Sequence, residues 1–311
     1  MLTKKIIILS FAFLLSCSSI VTNLNENSWA ESVIKKMTLR EKIAQMMVYR
    51  MNMHYVNFEN KDWKELIQLI ETDGIGIIHI WFGDVGSSLT TLNFLQQKSK
   101  LPILVEADIE SGLGRRYNGS VRLPPMMAIA ATGNSYYAYE AGRISAEESR
   151  AVGIHFNLAP VVDVNNNPKN PIINTRSFGE VPDSVQKYSK DFIKGLKDFG
   201  MLTTAKHFPG HGDTETDSHS ALAMIPSDSA RLWNIELPPF RYAIEAGVDA
   251  VMIAHVSAPD FQRHSEVPAS LSSFWIKDIL RKEMSFNGAV ITDAMGMGGI
   301  IKNYSDDYAI V

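Results

Sequence analysis

From Trp29 onward, short apolar runs alternate with longer amphipathic ones. The short runs are Met46–Tyr49, Ile77–Ile80, Ile103–Ala107, His155–Ala159, Met201–Ala205, Ala250–Ala254 and Ala289–Thr292. Most are apolar at successive positions, not at every second one. That is the pattern of strands buried on both faces, as in a parallel sheet covered by helices. The long runs predict the helices. Trp29–Lys36 is one, and Thr38 is placed to cap a restart just after it. Lys61–Thr72 carries Trp63, Leu66, Ile67 and Ile70 on one face. Leu89–Lys98, Asn134–Ala151 and Asp183–Phe199 follow, with Gly200 as the stop of the last. Ser227–Ala246 is mostly helical but broken at Pro238-Pro239, and Ser272–Met284 starts at Ser272 or Ser273 as N-cap. Seven strand–helix alternations predict an α/β fold, a (β/α)8 TIM-type barrel that stops before its eighth strand. No G-x-G-x-x-G follows the first strand, which leaves a dinucleotide fold little support.

Polar residues recur where the strands end: Asp108, Asp163, Lys206 with His207, His255 and Asp293. In a barrel these ends share one mouth. The densest stretch is Ala205–Met224, AKHFPGHGDTETDSHSALAM, where a strand gives way to a Gly-rich polar loop. Within it, Asp217 and His219 stand two residues apart. A tight loop lets that carboxylate fold back on the imidazole, orient it, fix its tautomer and raise its basicity. A histidine held so can give a proton to a leaving group and later take one from water. Asp163, in VVDVNNNP, reads as the organiser of its own turn through Asx hydrogen bonds. His211 and Asp213 read as loop stabilisers. His255 is balanced between pocket lining and core packing, and Trp81, Met126 and Met127 read as plain packing more readily than as the lining of a binding surface. Arg115 and Arg116 are adjacent, so both cannot easily face one pocket.

Composition narrows the function classes. The chain has 311 residues, 45% of them hydrophobic, which fits one large barrel or two ordinary domains. A net charge of −4 argues against nucleic acid as the main partner. At the N-terminus, Lys4 and Lys5 precede an apolar run, Ile6–Leu15, too short to span a bilayer. It ends in Leu14-Leu15-Ser16-Cys17, which resembles a bacterial lipobox, and Cys17 is the only cysteine. The expected organisation is a lipoprotein signal peptide over 1–16, lipidation at Cys17, a tether over 17–28 and the barrel over 29–311. An ordinary signal peptide with an incidental cysteine is the alternative. The first reading places the protein in the cell envelope, lipid-anchored to a bacterial membrane.

Five segments carry a resemblance to glycoside hydrolase family 3, in its β-N-acetylglucosaminidase branch. They are EADIESGLGRR at 106–116, NTRSFGE at 174–180, KHFPGHG at 206–212, DSH at 217–219 and ITDAM at 291–295. The stretch from Lys206 to His219 separates this branch from the β-glucosidases of the same family. The resemblance implies a retaining glycosidase acting on glycans with terminal β-linked N-acetylglucosamine, such as peptidoglycan fragments. It implies Asp293 as nucleophile, His219 as general acid/base and Asp217 as its dyad partner. Asp108, Arg116, Arg176, Lys206 and His207 match the residues that hold the N-acetylglucosamine, and the family spacing favours Arg116 over Arg115. Similar lipoproteins carry this domain ahead of a serine-hydrolase-like domain, so a C-terminal domain of that kind is implied as well. No metal or cofactor is implied.

Two rival functions compete. His207, His211, Asp213 and His219 offer ligand types for zinc, which would make a zinc-dependent hydrolase. Against it, the H-x-x-x-H spacing lies on a Gly/Pro-broken loop and not on a helix that would align both rings. The other rival is a non-catalytic envelope lipoprotein that only binds glycans.

Overall fold

The computed structural model describes residues 26–54, 57–226, 228–262, 266–305 and 309. The expected signal peptide, Cys17 and most of the tether lie outside them. No helix among the described residues is long and apolar enough to cross a membrane.

Seven parallel strands follow one another around a curled sheet in chain order. They are β1 (Val48–Met53), β2 (Ile77–Asp84), β3 (Leu104–Ala107), β4 (Phe156–Asn157), β5 (Leu202–Phe208), β6 (Ala250–Ile253) and β7 (Ala289–Thr292). Every neighbouring pair is parallel, with Val48 opposite Ile77, Ile77 opposite Leu104, Phe156 opposite Leu202 and Ala250 opposite Ala289. A short strand, Tyr117–Asn118, pairs alongside the end of β2. β1 and β7 are the two ends of the path and do not pair among the described residues. This is the α/β, TIM-type arrangement expected, open where an eighth strand would close it.

Several boundaries differ from the sequence pattern, each for a local reason. β1 starts at Val48, not Met46, because the amides of Met46 and Met47 still bond back to Ile43 and Ala44 of the helix Leu39–Gln45. That helix opens with the expected cap at Thr38, completed by Glu41 as a capping box. The helix expected from Leu89 begins at Val85, since the Asp84 carboxylate accepts the Ser87 amide 2.8 Å away. The prolines Pro238-Pro239 open the helix Pro238–Glu245 instead of only ending the one before it. Ser273 precedes the helix Phe274–Glu283 but makes no side-chain capping bond.

The inner strands are largely buried on both faces, and the end strands β1 and β7 are partly exposed. Outward residues of β1–β3, among them Ile78, Ile80, Val105 and Ala107, pack with Leu66, Leu92, Leu95 and Phe192 of the covering helices. Outward residues of β5–β7, among them Ala205, Val251 and Ile253, pack with Phe240, Trp275 and Leu280. A third cluster joins Leu104, Phe156, Leu158, Ala250, Met252 and Ile291. These come from β3, β4, β6, β7 and the end of β4, strands that are mostly not neighbours. They can meet only across the interior of the curl, where they form an apolar plug. Side chains two residues further along a strand stand one layer higher on the same face. Glu106 stands above Leu104 in this way, so the charged layer lies over the plug toward the strands' C-terminal ends.

Candidate active site

Lys206 anchors the charged layer. It lies on β5 with 2% of its side chain exposed, and its Nζ is 2.6 Å from Asp108 Oδ1 and 2.8 Å from Glu110 Oε1. The other Asp108 oxygen lies 3.2 Å from an Arg116 nitrogen and 3.8 Å from His79 Nε2. His79 in turn sits 3.2 Å from Glu106 through Nδ1. Arg176 grips Glu110 with two bonds of 3.0 and 2.8 Å. It also points Nη2 at His207 Nε2, 3.3 Å away. A guanidinium can only donate, so His207 Nε2 is an acceptor and the ring proton sits on Nδ1. Nδ1 lies 2.7 Å from Asp163 Oδ2.

The charges hold one another in place. Burial alone would push the Asp108 carboxyl up, but Lys206, His79 and Arg116 outweigh burial and Glu110 and hold it at about 2. Burial likewise opposes ionisation of Glu110, and Lys206 with Arg176 reverses the balance and keeps it well below the usual range. Both cations are held up by the same carboxylates against their own burial. The result is a fixed array of acceptors and donors, suited to hydroxyls and an amide. The Arg116 Cζ lies over the Trp81 ring, 4.2 Å from its centroid, and Arg115 is exposed.

Beyond β5 the chain makes a loop over 209–222 before the short strand Ala223–Met224, which pairs with Val256–Ser257. The inner half of the loop is pinned. Asp163 is fully buried and accepts the backbone N–H of His207 and of His211, the latter at 2.6 Å. The expected Asx turn at Asp163 is therefore corrected: its carboxylate organises the distant loop and not its own. His211 Nδ1 is 2.6 Å from Thr214 Oγ1 and Nε2 2.9 Å from Ser218 Oγ. Asp213 pairs with Arg231 at 2.9 Å.

At the outer half, Asp217 Oδ1 accepts the His219 amide at 2.9 Å and lies 2.8 Å from His219 Nδ1. The Asp217 carbonyl accepts from Ser220 and Ala221, which winds the segment into one helical turn. Burial pushes the Asp217 carboxyl up, but the His219 amide and ring bring it below the usual range. An ionised carboxylate only accepts, so Nδ1 donates and Nε2 is left at the exposed end. His219 is 54% exposed and Asp217 34%, so the pair is within reach of a ligand.

Asp293 follows β7 directly. Its amide bonds to Ile253 O, its Oδ1 accepts the Ala294 amide at 2.8 Å, and it makes no ion pair among the described residues. Beside it, His255 is fully buried, with Nε2 3.0 Å from Ala294 O and Nδ1 2.8 Å from Ser270 Oγ. Burial pushes the His255 ring down; Asp293 opposes this and His219 reinforces it. Both groups thus act on one buried ring. The amides of Gly298 and Gly299, just past Asp293, also bond to the carbonyls of His219 and Ser218.

A family model described as the glycosyl hydrolase family 3 N-terminal domain matches residues 38–311. The chain belongs to glycoside hydrolase family 3. It is 29% identical over 285 residues to a β-N-acetylglucosaminidase/β-glucosidase of Cellulomonas fimi, covering 88% of this chain and 49% of that protein. It is 33% identical to a β-hexosaminidase of Glaesserella parasuis, covering 78% and 71%. Among solved structures, a family 3 β-N-acetylglucosaminidase from Paenibacillus aligns with a TM-score of 0.79 at 38% identity, covering 86% of this chain and 51% of that one. The chain thus spans about half the length of the Cellulomonas relative and of the Paenibacillus structure.

The family 3 residues singled out in the sequence fall into two groups. Asp108, Arg116, Arg176, Lys206 and His207 are brought together in one network. Asp217 and His219 touch each other, and Asp293 is linked to them through the segment that ends at Gly299. The zinc reading is not supported by placement. His211 has both ring nitrogens engaged by hydroxyls, Asp213 is paired with Arg231, and no metal-holding group of three or more such residues occurs among the described residues. Met126 is buried core. The sequence pattern by itself assigns no role to Glu110, Glu106 or His79. Glu110 stands two residues after Asp108, the spacing that keeps extended residues on one face. His79 is a lone polar residue inside an apolar strand, and that was its signal.

Proposed function

We propose that this chain is the catalytic domain of a retaining β-N-acetylglucosaminidase. The observation that carries the reading is the pre-oriented Asp217–His219 pair docked onto the segment that follows Asp293, beside the Asp108–Lys206–Arg176 network. The names of the relatives support the same substrate class. The network is suited to bind the terminal sugar: Asp108 accepts from hydroxyls, and Arg116, Arg176 and Lys206 donate to hydroxyls or to the acetamide carbonyl.

In the first step the Asp293 carboxylate attacks the anomeric carbon. The bond from that carbon to the leaving oxygen breaks, and the Nε2–H of the His219 imidazolium gives its proton to that oxygen. Asp217 accepts the Nδ1–H throughout, which fixes the ring's orientation and leaves Nε2 to the leaving oxygen. In the second step water attacks the same carbon, Nε2 takes the water's proton, and the carbon–Asp293 bond breaks. Most retaining enzymes use a second carboxyl as donor and must raise its pKa. An imidazole starts near neutrality, so less tuning is needed. The natural substrates are glycans ending in β-linked N-acetylglucosamine, with peptidoglycan fragments foremost.

The test is hydrolysis of 4-nitrophenyl N-acetyl-β-glucosaminide, with the first-formed sugar followed by NMR. The β-anomer should appear first, and Asp293→Ala should abolish turnover with an unchanged circular dichroism spectrum. Wild-type turnover in that variant, or first release of the α-anomer, refutes the assignment. We also propose lipidation of Cys17, a cell-envelope location and a serine-hydrolase-like domain C-terminal to the barrel in the whole protein. Metabolic labelling with palmitate that persists in Cys17→Ser refutes the lipid anchor.

A further inference from the structure

The acid/base loop and the nucleophile come from different strands, yet their relative placement decides whether a proton reaches the leaving group. We propose that Gly298 and Gly299 are a docking seat that holds this loop in its proton-donating position, so that the pair positions His219. The proposal rests on the retaining mechanism given above. Gly298 and Gly299 open the short helix Gly298–Ile301, where amides have no intrahelical acceptor. Both amides are satisfied by the loop: Gly298 N–H donates to His219 O at 2.9 Å and Gly299 N–H to Ser218 O at 3.0 Å.

The fit tolerates only hydrogen at Gly298 and is tight at Gly299. A Cβ on Gly298 would lie 2.5 Å from Ser220 O and 2.8 Å from His219 O. A Cβ on Gly299 would lie 3.1 Å from Ser218 O and 3.2 Å from the Cβ of His255. The obstacles at Gly298 are backbone atoms, which cannot swing aside as a side chain does. Gly296, in the same turn, has nothing within 4 Å of an added Cβ, so space demands no glycine there. The loop is gripped from the opposite side as well. Ser218 stands between Asp217 and His219, and its Oγ is 2.9 Å from His211 Nε2, inside the buried network of Asp163. Beneath the seat, His255 donates from Nε2 to Ala294 O and so fixes the stretch between Asp293 and the glycines. The nucleophile's own strand end is therefore what orients the proton donor.

The test compares kcat/KM for aryl N-acetyl-β-glucosaminides whose leaving groups run from 2,4-dinitrophenol to phenol. The full chain, Gly298→Val, Gly298→Ala and the control Gly296→Ala are measured together. Positioned acid catalysis is worth about 10²–10⁴-fold, and a dinitrophenolate needs no proton. Gly298→Val should lose on the order of 10²-fold with the phenyl glycoside and only a few-fold with the dinitrophenyl one, with Gly298→Ala between it and wild type. Gly296→Ala should match wild type throughout. An equal loss on all leaving groups, or none, overturns the proposal. Amide hydrogen exchange gives a second reading that needs no turnover. Residues 217–221 should exchange faster in Gly298→Ala than in Gly296→Ala, with β5 and β7 unchanged; equal exchange overturns the seat. A wild-type chain inactive on every glycoside would sink the glycosidase reading, and the exchange comparison would still decide the seat.

Discussion

His211 makes stability depend on pH in a way that can be worked from its surroundings. The ring is 1% exposed, between Thr214 and Ser218. The Thr214 hydroxyl donates its one hydrogen to His211 O at 3.0 Å, so its oxygen must accept from the ring's Nδ1–H. That leaves Nε2 to accept from the Ser218 hydroxyl, and the neutral ring satisfies every partner. Burial, joined by the neighbouring His207, brings its pKa from 6.5 down to about 4. The unfolded chain therefore takes up this proton first as the pH falls. The stability from the neutral ring is complete above about pH 6.5 and is lost as the pH drops through about 4. The full gap corresponds to roughly 3 kcal/mol, of which about 2–3 kcal/mol falls between pH 7 and pH 4.5. Urea unfolding of wild type and His211→Asn at both pH values reads this out. Wild type should lose more stability than the variant over that range, by about that amount. His155 and His255 are also pushed down by burial, but they are common to both proteins and cancel. Parallel losses in the two proteins would refute the reasoning.

Other perturbations have defined outcomes. Glu110→Ala leaves Lys206 and Arg176 without a shared counter-charge in a buried layer, and should cost about 3–5 kcal/mol by urea unfolding. A cost below about 1 kcal/mol would show that the network relaxes around the gap. Asp217→Ala removes the acceptor that orients His219 through Nδ1. It should lower kcat/KM by at least about 10-fold for the phenyl glycoside while sparing the dinitrophenyl one, and equal losses on both would contradict the role.

The sheet was legible because its strands read as unbroken apolar runs, largely buried in the inner strands and partly exposed in β1 and β7. β7, Ala289–Thr292, falls where the pattern predicts it to the residue. Strand ends were less legible. β5 continues through Lys206 and His207 to Phe208, because partners on other elements stabilise those polar side chains inside the sheet. The Asp217–His219 contact was visible in advance because it is local. Asp163 was misread for the opposite reason. It looked like a local turn former, yet its partners His207 and His211 lie 44 and 48 residues away in the chain. Glu110 was hidden similarly: its importance comes from Arg176, 66 residues on, and no spacing rule reaches that far. The seat for the acid/base loop depends on backbone atoms of Gly298 and Gly299, which leave no side-chain signature at all.

The central claim is that Asp293 becomes covalently bound to the sugar. The most direct measurement is mass spectrometry of the protein after exposure to a 5-fluoro N-acetylglucosaminyl fluoride, which slows release of the intermediate. One fluorinated glycosyl unit should appear on the peptide containing Asp293, and none on the Asp293→Ala protein. An adduct on another residue, or consumption of the reagent with no adduct at any time, would contradict the account.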